Sequence, residues 1–270
     1  MSECKITGIY SYPVKSCRAS SMESAEISPT GIEGDRQLML LYNGKFTNQA
    51  FIANLAKVET QRLGPLSIRF GNQENSLDHQ ISDQGEEHLV DFYGNQVAVL
   101  DQGDVASDWV SNIAGKEVRV VALKETFKRQ VPLEEFAVVH DKDQSRFVDV
   151  APILVTNEAS LADLNARLQS PVPMNRFRPN IVIEGLDAFA EDQVIELQGA
   201  TISLVRATHC ERCAVTCTDQ ETGARASEPL STLKAYRHRE GGYAGGVMFG
   251  AYMAVNGQGT IRVGDTFTVK

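Results

Sequence analysis

The chain has 270 residues, 42% of them hydrophobic and 23% charged, with a formal net charge of −9 and a pI near 5.1. These are the proportions of a globular protein large enough to bury its core without disulfides or structural metals, and the acidic balance supplies no basic face for nucleic acid. No apolar run of ~18 residues marks a membrane helix, the opening MSECKITGIYSYPVKS lacks the apolar centre of a signal peptide, and an odd count of five cysteines argues against a full disulfide framework, so a cytoplasmic protein with reduced thiols is expected.

Strand signals dominate. KITGIYSYPV (5–14) is rich in β-branched and aromatic residues and stops at Pro13. RQLMLLY (36–42) runs into Asn43-Gly44, a strong hairpin turn. GDVASDWVSNIAG (103–115) reads as a helix starting near Asp104 and stopping at Gly115. The polar, weakly periodic stretch 124–147, with the basic KETFKRQ (124–130), reads as a solvated connection between two domains. NEASLADLNARL (157–168) sets Leu161, Leu164 and Leu168 on one helical face, with Asn157 as N-cap. VIELQGATISLV (194–205) predicts a hairpin turning at Gln198-Gly199, EPLSTLKAYRHR (228–239) a helix with Pro229 in its first turn, and GTIRVGDTFTV (259–269) a final hairpin near Gly264-Asp265. The expected class is mostly β (α+β).

The chemistry concentrates in THCERCAVTCTDQETG (208–223), which holds Cys210, Cys213 and Cys217. A structural zinc site normally draws on two separated knuckles, and four ligands within 209–217 would strain so short a loop. The spacings of iron–sulfur ligands are missing. A redox CxxC belongs at a helix start, whereas AVTCT after Cys213 reads as strand. One reactive thiolate remains, a good ligand for a soft metal; Cys210 and Cys217 read as small buried side chains, and composition leaves Cys213 open between the two roles. Elsewhere, YPVKSC (12–17) places Lys15 after a Pro-terminated strand, and TGIEGDRQL (30–38) places Arg36 after a Gly-rich turn. In NRFRPNIVI (175–183), Arg176, Arg178 and Asn180 alternate along a segment read as extended, which puts two cations and an amide on one face. Such groups can clamp an anion.

Taken together, YPVKSC, GxxxGDR, ILVTNEASLADLNARL, FRPNIVI, ERCAVTCTDQETG, EPLSTLKAYR, MFGAY and GTIRVGD resemble, in order and spacing, the MOSC superfamily, and within it the amidoxime-reducing enzymes of bacteria and mitochondria. The resemblance implies a MOSC N-terminal β-barrel domain over 1–120, a connecting segment over 121–144 and a MOSC β-barrel domain with a few helices over 145–270. It implies a molybdenum cofactor, a pyranopterin dithiolene with a terminal phosphate, whose metal is held by Cys213 as both metal ligand and catalytic residue. Lys15 and Ser16 of the PVKS motif, Arg36, Thr156, Arg178 and Asn180 fall at cofactor-binding positions. The implied activity is two-electron reduction of N-hydroxylated small molecules, a detoxifying oxidoreductase with no nucleic-acid or membrane partner. Gln49 stands where many relatives carry an arginine. The chain closes at Lys270 without cluster cysteines, so electrons are expected from a separate flavin reductase or ferredoxin-type protein. A sulfur carrier with a Cys213 persulfide, and a zinc-binding module, are the competing readings.

Overall fold

The computed structural model describes residues 2–124, 137–139, 146–240 and 246–270. All of KETFKRQ except Lys124, and most of the connecting segment 121–144, lie outside these residues.

The fold is mostly β, with three α-helices among the described residues. Its larger unit is a closed barrel of seven strands. Around the ring run Ile153–Asn157, Ile181–Glu184, Glu3–Ser11, Thr266–Val269, Glu196–Gln198, Ile202–Glu211 and Gly246–Gly257, and the last pairs back onto the first through Val155 opposite Ala251. Only the pair Ile153–Asn157 with Ile181–Glu184 is parallel. Closure leaves no bare edge in the ring. The interior is filled by fully buried Ile6, Ile9, Ile153, Val155, Ile181, Ile183, Leu197 and Leu204. The near-continuous burial of ILVTN (153–157) follows from the cover that α2 (Glu158–Asn165) and its neighbours give the outer face.

The N-terminal half holds a second, nearly closed barrel. Its five-stranded sheet contains Leu38–Tyr42, Lys45–Phe46, Glu87–Phe92, Asn95–Asp101 and Arg119–Leu123, and a three-stranded meander spans Glu59–Gly64, Ser67–Gly71 and Ser76–Gln80. Helix α1 (Asp104–Ala114) buries Ala106, Val110 and Ala114 against Leu38, Leu40, Phe70 and Val120. Gly115 ends it at φ 68°, a left-handed cap that glycine adopts without Cβ strain.

The strand Glu3–Ser11 pairs with Ile181–Glu184 and Thr266–Val269, so the start of the chain is hydrogen-bonded into the C-terminal ring. Three local expectations are corrected. GTIRVGDTFTV is not a hairpin: Gly259–Arg262 pairs with Ser24–Ser28, while Thr266–Val269 pairs with Glu3–Ser11 and Glu196–Gln198. Alternation identifies a strand but not its partner. The residues after Cys213 form a 3-10 turn, Ala214–Cys217, because Thr216 returns both its N–H and its hydroxyl to the Cys213 carbonyl, at 3.1 and 3.0 Å. The NRFRPN segment is also not extended: Met174–Phe177 is a 3-10 turn and Arg178 has φ 54°. The helices at 157–168 and 228–239 are shorter than their patterns, α2 ending at Asn165 and α3 spanning Leu230–Tyr236. The Asn157 cap is present, its side chain accepting from Ala159 N–H at 3.2 Å.

A buried acid sits beside that cap. Glu191 is fully buried, its carboxylate accepting from the Ser160 hydroxyl at 2.7 and 2.8 Å and from Asn157 Nδ2 at 3.3 Å. Burial pushes its carboxyl up to about 7, against those hydrogen bonds. Because the folded state holds this proton more tightly than the unfolded chain, the stability it contributes is complete below the ordinary glutamate range and is lost as pH rises through about 7. Glu191→Gln should flatten that part of the profile and raise stability at pH 8 by up to ~3 kcal/mol. Urea midpoints of both proteins at pH 5 and pH 8 check it; an equal pH dependence would show that Glu191 is ionised throughout.

Candidate active site

A cleft of about 820 Å³, part of it open to solvent, lies where the two barrels meet. Its floor is organised by Tyr12, on the chain between the strand Glu3–Ser11 and the first residues of the N-terminal half. Tyr12 is buried, and its hydroxyl donates to the Pro179 carbonyl at 3.0 Å. Its backbone N–H donates to Asp35 Oδ1 at 2.6 Å, and Arg36 N–H donates to the Tyr12 carbonyl at 2.8 Å. The Arg36 and Arg178 guanidiniums lie over the Tyr12 ring, 4.5 and 4.3 Å from its centroid. Burial pushes the phenol up to about 12, so the ring stays neutral between two cations.

Among the described residues, five cations line the cleft, Lys15, Arg36, Arg176, Arg178 and Arg212, and two carboxylates stand against them, Asp149 and Glu211. Lys15 is buried in an aromatic cage, its Nζ 5.3, 5.2 and 5.7 Å from the Phe46, Phe92 and Tyr93 rings, and it pairs with Asp149. Tyr93 also donates to Asp149, at 2.9 Å. Partial burial raises the Asp149 carboxyl, but the Lys15 ammonium, the Tyr93 hydroxyl and Arg36 hold it well below the usual carboxylate range. Arg36 pairs with buried Asp35, and Arg176 with Asp219 at 3.1 Å. Arg178 and Arg212 have no carboxylate within 4.0 Å among the described residues. Burial, then the like charge of Arg36, lowers the basicity of Arg178. A cation-rich surface of this kind is stabilised when an anion fills it.

The backbone around the cleft is strained. Ser16, Arg36, Tyr93 and Arg178 have φ of 74°, 50°, 52° and 54°, and they make up four of the six non-glycine residues with positive φ among those described. Each such residue costs about 1–3 kcal/mol unless its surroundings fix it, and such residues cluster at functional sites.

Cys213 stands exposed on the cleft wall, while Cys4, Cys17, Cys210 and Cys217 are buried. Burial pushes the Cys4 thiol up to about 11 and that of Cys17 up to about 12. It raises Cys210 as well, against the pull of Arg212. Arg212 is turned inward, with Nη1 donating to Cys210 Sγ at 2.6 Å and Nη2 to the Phe177 carbonyl. The buried Nε atoms of Arg212 and Arg176 have no hydrogen-bond partner among the described residues. Among the described residues no group of three His, Cys, Asp or Glu side chains could hold a metal ion.

Of the residues expected from sequence, Lys15, Ser16, Arg36, Arg178, Asn180 and Cys213 line this cleft. Thr156 does not: it is fully buried behind the wall, its hydroxyl donating to Met174 Sδ at 3.2 Å. Asn180 has its amide fully engaged with the protein. Oδ1 accepts from Arg36 and from Leu154 N–H, both at 3.2 Å, while Nδ2 donates to the Tyr10 carbonyl at 3.1 Å and to Asp35 at 3.3 Å. Its place is therefore to brace the arginine and join three segments. Gln49 is fully buried and faces Gln220 amide to amide, at 3.0 and 2.9 Å, and Gln220 Oε1 also accepts from Arg178 at 3.3 Å. Sequence reasoning missed Asp149, Tyr93, Glu211 and Tyr252. Asp149 and Tyr93 sit in no local pattern and reach the cleft through long-range packing, whereas Glu211 was open to view as the i−2 neighbour of Cys213 and Tyr252 lies on the strand paired beside it.

A disulfide-exchange reagent should label one thiol per native chain and all five after denaturation. Cys213→Ser should leave none accessible in the native protein. Two rapidly labelled thiols would mean that a second cysteine is open to solvent.

Residues 142–268 match the MOSC domain and residues 3–117 match the MOSC N-terminal beta barrel domain. Mitochondrial amidoxime-reducing component 1 of Homo sapiens is 31% identical over 96% of this chain and 81% of its own length. The Mus musculus protein of the same name is 32% identical over 96% of this chain and 80% of its own, and mitochondrial amidoxime reducing component 2 of Bos taurus is 30% identical over 96% and 81%. With two matching domains and near full-length relatives at this level of identity, the chain belongs to the MOSC family, in the branch that carries the N-terminal β-barrel domain.

Proposed function

We propose that this chain is a molybdenum-cofactor-dependent reductase that removes oxygen from N-hydroxylated compounds. The observation that carries the reading is one exposed thiol, Cys213, on the wall of a cleft lined by five cations. The names of the relatives, amidoxime-reducing components, supply the reaction class. The residues present fit the cofactor. Arg178 and Arg212 lack carboxylate partners among the described residues, and the buried Nε atoms of Arg176 and Arg212 lack acceptors. An anionic group with several acceptor oxygens satisfies such donors, and a soft metal suits the thiolate.

Cys213 would ligate the metal, and Lys15, Arg36, Arg176 and Arg178 would hold the anionic part of the cofactor. When bound, the cofactor supplies the two-electron couple for the balanced conversion R–NH–OH + 2 e⁻ + 2 H⁺ → R–NH₂ + H₂O. The protein's share is ligation, charge neutralisation and positioning. Asn180 and Tyr12 fix the two guanidiniums, and the aromatic cage keeps Lys15 dry. The chain has neither a cluster-spaced cysteine set nor a G-x-G-x-x-G fingerprint, so the electrons come from a separate donor protein. Five unpaired thiols suit a reducing compartment such as the cytoplasm.

Protein produced with ample molybdate should contain about one molybdenum per chain and reduce a hydroxylamine with reduced viologen. Cys213→Ser should lose at least about 100-fold of that activity, since a neutral hydroxyl is a poor soft-metal ligand, whereas Cys217→Ser should keep its molybdenum. A metal-free protein carrying a Cys213 persulfide would instead establish the sulfur carrier, and one zinc per chain the zinc module.

Purified protein should be inert with NADH until a flavin reductase or ferredoxin-type partner is added. Steady NADH oxidation by the chain alone would reveal a redox centre of its own.

A further inference from the structure

One charged group in the cleft has no place in this scheme. Asp149 is held by Lys15 and Tyr93. Glu211 accepts from Cys210 Sγ through its backbone carbonyl, at 3.6 Å, but its side chain, the other lining carboxylate, has no hydrogen bond or ion pair with any described residue. A bare carboxylate in a cleft built for an anionic cofactor is unfavourable to that cofactor, so its presence calls for a different ligand.

Its position identifies which. Burial alternates along the end of the strand Ile202–Glu211 and the residues that follow. Cys210 and Arg212 are 1% and 9% exposed, while Glu211 and Cys213 are exposed. Cys213 continues the extended backbone with φ −108° and ψ −177°. Glu211 and Cys213 therefore share the outward face, with Cα atoms about 7 Å apart as in any i, i+2 pair of a strand. The Arg212 guanidinium between them is committed inward to Cys210 and Phe177, so it does not neutralise Glu211. Gly246 leaves room for the carboxylate, since a Cβ there would stand 2.5 Å from Glu211 Oε1. A small molecule reacting at a metal on Cys213 thus lies within reach of one uncompensated negative charge.

We infer that Glu211 is a specificity-determining residue that recognises cationic N-hydroxylated substrates, with protonated N-hydroxyguanidines as the best-matched class. This inference rests on the reductase reading above. A guanidinium or amidinium offers two parallel N–H donors, the geometry that a carboxylate accepts in bidentate fashion. Reduction of an N-hydroxyguanidine also yields the more basic guanidine, so the positive charge strengthens along the reaction and the carboxylate favours the later state over the earlier one.

The test compares molybdenum-loaded wild type with Glu211→Gln, which preserves shape and removes charge. Two substrates with the same phenyl group are used, a protonated N-hydroxy-N′-phenylguanidine and the neutral benzohydroxamic acid. The ratio of their kcat/KM values should fall about fivefold to tenfold in the variant, the size of one charge-assisted contact in a partly hydrated cleft. Benzamidine binding, measured by calorimetry on the same samples, should weaken by a similar factor. Added salt should weaken it in the wild type more than in the variant. An unchanged substrate ratio, or an unchanged benzamidine affinity, overturns the inference. Calorimetry needs no turnover, so it decides the role of Glu211 even if neither compound is reduced, a result that would defeat the reductase reading alone.

Discussion

Two guanidiniums over one buried tyrosine ring form the contact on which the cleft depends. Like charges held this close repel one another, and burial makes each more costly. The protein meets the cost locally. Asp35 neutralises Arg36, Asn180 accepts from the same guanidinium, and Gln220 gives Arg178 a neutral acceptor. The knot also ties distant chain together. Tyr12 and Asp35 come from the N-terminal part, Pro179 and Asn180 from the start of a C-terminal ring strand, and their mutual hydrogen bonds fix how one barrel meets the other. The interface between the barrels and the charged floor of the cleft are thus one set of interactions.

From that floor the rest of the cleft follows. Arg36 and Arg178 both lie at positive φ, and Ser16 and Tyr93 share that conformation in the lining of the cleft. The strain is tolerated because each segment is bonded across to another, as Lys15 N–H to the Leu38 carbonyl and Gln49 to the Ser16 carbonyl show. Cys213 is placed more simply, at the rim of a long barrel strand, where the ladder gives way to a 3-10 turn and a side chain can face out. One exposed thiol at the end of a barrel strand and a cluster of cations thus line the same cleft.

Much of this was legible in the sequence, for reasons that differ by residue. A short stretch holding three cysteines drew attention, and the resemblance of ERC to the family's motif singled out Cys213 among them. Lys15, Arg36 and Arg178 were marked by their motifs, although the turn that sets Arg178 was read as extended chain. Strand periodicity gave the β class, and Asn43-Gly44 its hairpin, with φ values of 51° and 71° that match the turn. What escaped was long-range. Nothing in residues 259–269 says that two adjacent strands go to different sheets, and nothing near Asp149 says that it faces Lys15 across more than a hundred residues. The burial of Thr156 is a matter of which side of a fully covered strand a residue takes, and covered strands carry no alternation to read.

The closed ring sets the order in which this protein can be made. Cys4 pairs with Phe267 and Ile6 lies opposite Ile183, so the first strand emerges from the ribosome long before either neighbour exists. Until Thr266–Val269 arrives, the ring is an open sheet with apolar Ile6 and Ile9 uncovered. Such distant pairings fold slowly and leave bare strand edges open to other chains in the meantime. For this chain, synthesis is therefore the interval in which the strand Glu3–Ser11 stands without its partners.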